Sequence, residues 1–196
     1  TGWRWVITPK PSAQSNTAVL ARNLPAGQQE FLLYLPLYNG VSSVEIGLDL
    51  DAQIWSNRYT GEAAKPLVFW GTSITQGACA SRPGMVHTAI LGRRLDRPVV
   101  NLGFSGNGRM EPEVARLLAE IDAAVYVIDC CPNLKGEDVA ARTEPLVAIL
   151  REKRPDTPIL LVEDRNYADA FLVASKRERN DGNQAALRAA YQRLTA

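Results

Sequence analysis

The sequence predicts an α/β fold, a mostly parallel sheet with helices on both faces, preceded by a small antiparallel β-module. Three observations carry this. From Pro66 onward, short apolar runs alternate with stretches of helical periodicity at the spacing of βαβ units. Before about residue 64, apolar residues recur at every second position instead, and seven of the fourteen aromatics (Trp3, Trp5, Phe31, Tyr34, Tyr38, Trp55 and Tyr59) collect there. The balance of 46% hydrophobic and 22% charged residues is that of an ordinary globular chain.

The elements follow in order. Phe31–Tyr38 and Val44–Asp51 read as strands, the second with apolar Val44, Ile46, Leu48 and Leu50 on one face. Asn39-Gly40 between them is a type I′ hairpin signal, because that turn needs positive φ at both central residues. Residues 1–64 are therefore expected to form the β-module, and 65–196 the α/β domain. Pro66–Trp70 is a buried strand ending at Gly71, followed by a helix over Arg82–Leu95 and a strand over Pro98–Leu102. Glu111–Asp122 is an amphipathic helix with Val114, Leu117, Leu118 and Ile121 on one face. Ala124–Ile128 is the third strand. Thr143 is placed to cap the next helix, with Pro145 tolerated in its first turn. Pro158–Val162 is the fourth strand and Asp181–Leu194 the last helix.

A net charge of +1, from 22 basic and 21 acidic residues without a long Lys/Arg run, gives no footprint for nucleic acid or an anionic membrane. No apolar stretch approaches the roughly 18–20 residues needed to span a bilayer. Cys79, Cys130 and Cys131 make no disulfide framework, and Cys130 and Cys131 read as small buried hydrophobes. One histidine, His87, cannot build a zinc site, and Asp129 and Asp164 at predicted strand ends lack a third ligand with convincing spacing. No metal or organic cofactor is implied. The chain opens at Thr1 without a basic-then-apolar leader and reads as part of something longer; no compartment is assigned.

Ligands of parallel sheets bind at the carboxyl ends of the strands. The first strand runs into Gly71-Thr72-Ser73-Ile74-Thr75-Gln76-Gly77, with a serine hydroxyl just past the sheet edge. The second runs into Asn101-Leu102-Gly103-Phe104-Ser105-Gly106-Asn107-Gly108, whose glycines let backbone N–H groups turn outward. The third ends in Asp129-Cys130-Cys131-Pro132-Asn133, bringing a side-chain amide to the same rim. A hydroxyl, a main-chain donor and an amide around one point suit acyl transfer, whose tetrahedral oxyanion needs preorganised donors. The glycines follow G-x-x-G-x-G after the second strand, not the dinucleotide pattern G-x-G-x-x-G. Taken singly, Ser73 reads as a helix cap and Asn133 as a turn residue; only their order makes a site.

That order, together with Tyr34–Gly40 and Cys79–Gly84, resembles the SGNH (GDSL-type) hydrolases, and within them a bacterial subgroup of esterases with a leading β-domain. The similarity covers nearly the whole chain, through the Val162-Glu163-Asp164 strand end. It implies a flavodoxin-like three-layer αβα sandwich, Ser73 as nucleophile and oxyanion donor, and Gly106 and Asn133 as further donors. It also implies hydrolysis of small-acyl esters, with O-acetylated carbohydrate as the expected substrate class and no nucleic-acid partner. Thr72 stands where many members have Asp, and Pro132 where many have Gly. The family's terminal Asp-x-x-His block has no counterpart in residues 1–196.

His87 shares a stripe with Leu91 and Leu95 on the predicted helix, which fits packing against the sheet rather than service as the base. The expectation is that the natural gene continues past Ala196 to supply His and Asp, and that this chain alone is crippled. Arg82, after the nucleophile turn, is a candidate substrate contact or a surface residue, and Lys176–Asn180, of mixed charge, reads as a solvated loop or helix face. Two rival readings stay open. One is a carbohydrate-binding or interaction module on the same fold without the chemistry, the other an acyltransferase.

Overall fold

Short apolar runs become four parallel strands. These are β1 (Leu67–Gly71), β2 (Val99–Gly103), β3 (Val125–Asp129) and β4 (Ile159–Leu161). They are seen in a computed structural model that describes residues 2–55 and 59–196. The sheet order is β2-β1-β3-β4, with Trp70 of β1 registered between Leu102 of β2 and Ile128 of β3. This is the flavodoxin-like order, with its crossovers made by helices. The helices are α1 (Ser73–Gln76), α2 (His87–Leu95), α3 (Pro112–Leu118), α4 (Gly136–Lys153) and α5 (Ala174–Thr195).

Alternation along β1 assigns the layers. Val68 and Trp70 face α3, α4 and α5 in the main core, with Ala115, Leu118, Val139, Leu146, Leu150 and Leu187. Leu67 and Phe69 face the opposite way and pack with Val127 and Leu91 of α2. Burying a side chain of this size contributes about 1.5–3 kcal/mol, so the thick layer holds most of the hydrophobic stabilisation. The thinner face keeps an open apolar groove of about 380 Å³ lined by Phe69, His87, Leu91, Val125, Leu160 and Val162.

Three expectations are corrected. The helix expected to open at Thr143 begins instead at Gly136, with Asp138 accepting the Lys135 N–H at 3.3 Å and Glu137 beside it in the first turn. Thr143 sits inside α4, its hydroxyl turned back onto the Val139 carbonyl (2.7 Å), and Pro145 lies in the helix interior. The last helix starts at Ala174 rather than Asp181, so Lys176–Asn180 lies on a helix, the second of its two readings, but is not solvated throughout. Asn180 is buried and Arg179 half-buried.

The third correction concerns residues 1–64. Among the described residues of that segment there is no strand, and neither Asn39 nor Gly40 has the positive φ of a type I′ turn. A two-stranded ribbon is marginal unless its apolar face meets another layer. Here Ile46, Leu48 and Leu50 remain exposed. The segment is held by side chains instead. Arg93 donates to the Tyr34 hydroxyl at 2.7 Å, and Trp5 and Tyr34 cover Gly84, where a Cβ would lie 2.6 Å from the Trp5 ring.

Candidate active site

The serine turn is built on close approach. Gly71 ends β1 where a Cβ would sit 2.1 Å from Thr75 Oγ1 and 2.7 Å from the Asp129 carbonyl. Thr72 caps α1, its hydroxyl accepting the Ile74 N–H at 3.4 Å, and Gly77 closes it at φ 115°. Ser73 is the first residue of α1 and half-buried. An N–H at that position has no intrahelical acceptor and stays available to a ligand.

The loop after β2 is fastened to this turn. Phe104 N–H donates to the Gly71 carbonyl (2.9 Å) and Ser105 N–H to Gln76 Oε1 (2.9 Å). The Asn101 amide donates to the Thr75 carbonyl (2.8 Å) and the Thr88 hydroxyl (3.0 Å), while its oxygen accepts the Gly103 N–H (2.9 Å). A Cβ on Gly108 would lie 2.1 Å from the Gly71 oxygen, so the contact admits only glycine. Asn107 N–H closes a turn onto the Phe104 carbonyl, with Gly106 at φ 74°, the glycine conformation of the third position of a type II turn. Among the described residues, no acceptor is bonded to the Gly106 N–H. Arg109 donates to the Gly106 carbonyl at 3.0 Å.

Beyond β3, Cys131–Asn133 form a 3₁₀ turn, and the Asn133 amide donates to the Asn107 carbonyl at 2.6 Å. That bond uses one of two amide hydrogens and leaves the second for another acceptor. The loops of Gly106 and Asn133 are thus joined directly, and the Gly106 loop is bonded to the turn that carries Ser73. Two residues unmarked by the sequence reading border this rim. Gln76 bridges the Ser105 N–H and the Leu37 carbonyl, and the Tyr38 hydroxyl donates to the Ser73 carbonyl at 3.4 Å. Tyr38 lies within the quoted Tyr34–Gly40 motif, the only signal that could have marked it.

Arg82 and His87 face elsewhere. The Arg82 guanidinium stacks on Trp5, 4.5 Å from the ring centroid, rather than reaching the rim. His87 opens α2 and lies edge-on to Phe69 at 6.0 Å, in the groove with Leu91 and Leu95. Cys130 and Cys131 are buried, and burial pushes both thiols up, Cys131 to about 12, so neither is a thiolate at neutral pH. Asp164 is ion-paired to Arg179 at 3.1 Å. Among the described residues, no group of three or more His, Cys, Asp or Glu side chains is arranged to hold a metal ion, and no helix is long and apolar enough to cross a membrane.

Asp129 accepts the Thr75 hydroxyl at 2.9 Å, yet burial holds its carboxyl above the ordinary range, opposed by that hydrogen bond and by His87. A raised folded-state pKa means the folded protein binds this proton more tightly than the unfolded chain. The group therefore favours folding at acid pH and loses that contribution as pH rises through the raised value. Asp129→Asn, which keeps an acceptor for Thr75, is expected to raise Tm slightly at neutral pH and to match the parent at acid pH. Thermal melts across that range test this, and a variant less stable at pH 7 contradicts it.

Comparison with known proteins bears on the whole chain. Residues 64–196 match the model of the GDSL-like lipase/acylhydrolase family, and residues 1–54 match that of the N-terminus of SGNH-hydrolase-type esterases. Among solved structures, a Bacteroides ovatus protein described as a GDSL-like lipase is 39% identical, with a TM-score of 0.75 over 83% of this chain and 48% of its own. A salicylyl-acyltransferase from a tetracycline biosynthetic pathway is similar at 22% identity and a TM-score of 0.59, over 69% of this chain and 40% of its own; that likeness is one of fold. The chain spans about half the length of these relatives or less. No curated protein matches it.

Proposed function

Because the chain belongs to the GDSL-like lipase/acylhydrolase family, we propose that it carries the nucleophile and oxyanion site of a serine ester hydrolase acting on small-acyl esters, with O-acetyl groups on carbohydrate as the substrate class. The observation that carries this reading is the lacing of the rim, with the Phe104 N–H on Gly71 and the Asn133 amide on Asn107. These bonds link the segments that carry the Ser73 hydroxyl, the Gly106 N–H and the Asn133 amide, which supports the reading. Ser73 Oγ attacks the ester carbonyl while its proton passes to a base. The carbonyl oxygen, now negative, accepts from the N–H groups of Ser73 and Gly106 and from Asn133 Nδ2. The alcohol leaves with a proton, and water repeats the sequence on the acyl-serine. The exposed rings of Tyr38 and Phe104 offer flat apolar surfaces beside this loop, suited to a sugar face, and Tyr38 against α1 favours a short acyl chain. His87, the single histidine of residues 1–196, packs on Phe69, so these residues alone are expected to turn over slowly.

The test is release of acetate from aryl acetates and acetylated saccharides by the full natural protein, with Asn133→Ala beside it. Loss of one oxyanion donor is expected to lower kcat by about 10²–10³-fold and leave KM nearly unchanged. A variant with the parent's kcat removes Asn133 from the site.

A further inference from the structure

We propose that Arg179 is a positioning residue for the oxyanion donor Asn133, holding its loop from α5 with Asp164 as the fixed counter-charge. This rests on the esterase reading above. Arg179 Nη2 donates to the carbonyls of Pro132 (2.6 Å) and Leu134 (3.3 Å), the residues on either side of Asn133. Its Nη1 donates to Asp164 Oδ2 at 3.1 Å, and that carboxylate is almost wholly buried. Asn183, one turn along α5 and fully buried, donates to the carbonyls of Cys131 (3.1 Å) and Leu134 (3.2 Å) and to the same carboxylate oxygen (2.8 Å). Three carbonyls of the four-residue stretch 131–134 are thereby held by two side chains of α5, with Asp164 fixing both.

The chemistry explains why an arginine stands here. The planar guanidinium presents several donors in a rigid fork, so it engages a carboxylate on one nitrogen and two carbonyls on another; a lysine ammonium on a flexible stem cannot hold that fork. The two carbonyls it takes flank Asn133, whose amide is bonded to Asn107 of the glycine loop. Displacing a catalytic donor by about 1 Å costs on the order of 10²-fold in rate.

The experiment is a double-mutant cycle on aryl acetate with the full natural protein. Arg179→Gln and Arg179→Lys are each combined with Asn133→Ala, and Ser73→Ala serves as the control. Arg179→Gln is expected to lower kcat about 10–100-fold with KM nearly unchanged. Arg179→Lys, which keeps the charge opposite Asp164 and so the fold, is expected to lower it less, by about 10-fold. In the Asn133→Ala background either change should cost under about 3-fold, because the donor being aimed is gone. Equal losses in both backgrounds, an effect on KM alone, full kcat in Arg179→Lys, or activity that falls only in proportion to folded protein overturns the proposal and leaves the esterase reading standing. Turnover that survives Ser73→Ala removes that reading and the proposal with it.

Discussion

In the full natural protein, replacing Ser73 by alanine is expected to lower ester turnover by about 10³-fold or more while Tm stays within a degree or two of the parent. On the proposed mechanism the Ser73 hydroxyl forms the covalent acyl intermediate, and nucleophile and base act as a unit, so its loss is not shared out among the remaining groups. What survives is the effect of the oxyanion donors on attack by water. The fold is spared because Ser73 is half-buried and its hydroxyl makes no hydrogen bond to the described residues, the cap of α1 being Thr72. Steady-state kinetics on an aryl acetate and a thermal melt of the same sample test both halves. Activity within about 10-fold of the parent would move the nucleophile elsewhere.

The largest effect on stability is expected at Asp164. Asp164→Ala leaves the half-buried Arg179 guanidinium facing an empty space and deprives the buried Asn183 of an acceptor. Breaking one side of a buried ion pair costs about 3–5 kcal/mol, because an uncompensated charge stays behind. For a chain of this size that is a fall of about 10 °C in Tm. The preceding residue supplies the contrast. Glu163 makes two short bonds to Arg188, at 2.6 and 2.8 Å, and Arg188 holds its carboxyl below the ordinary range. Both partners are exposed, and such pairs contribute at most about 1 kcal/mol. Glu163→Ala should therefore lower Tm by no more than about 3 °C. Similar losses at both positions would mean that burial does not set the difference.

Much of the α/β layer could be read from letters alone, for a local reason. β1, β2 and β4 are each preceded by proline (Pro66, Pro98 and Pro158), and all four strands are short and mostly apolar. The residues of the rim stand immediately after three successive strands, so locating the strands located them. Where the reading failed, a local signal was outvoted by distant contacts. Thr143-Glu144-Pro145 has the grammar of a helix start, but Leu146 and Leu150 continue the buried stripe begun by Val139, and packing carries α4 straight through the proline. The alternation of Val44, Ile46, Leu48 and Leu50 predicts a face and says nothing of what would cover it. Arg179 sits in a run of four charged residues and an asparagine with no feature to single it out. Its role depends on the arrival of Asp164 and Pro132 from other parts of the chain, which no window of sequence displays.

The bonds that brace the Asn133 loop reach across 45 to 52 residues, from α5 back to the turn after β3. A chain emerging from the ribosome amino end first therefore has β1, β2 and β3 in hand well before it has the brace. The serine and the glycine loop are made before α5, and the amide is fixed only once α5 has followed. A nascent chain released before α5 would present the parts of the rim with its third corner still unfastened.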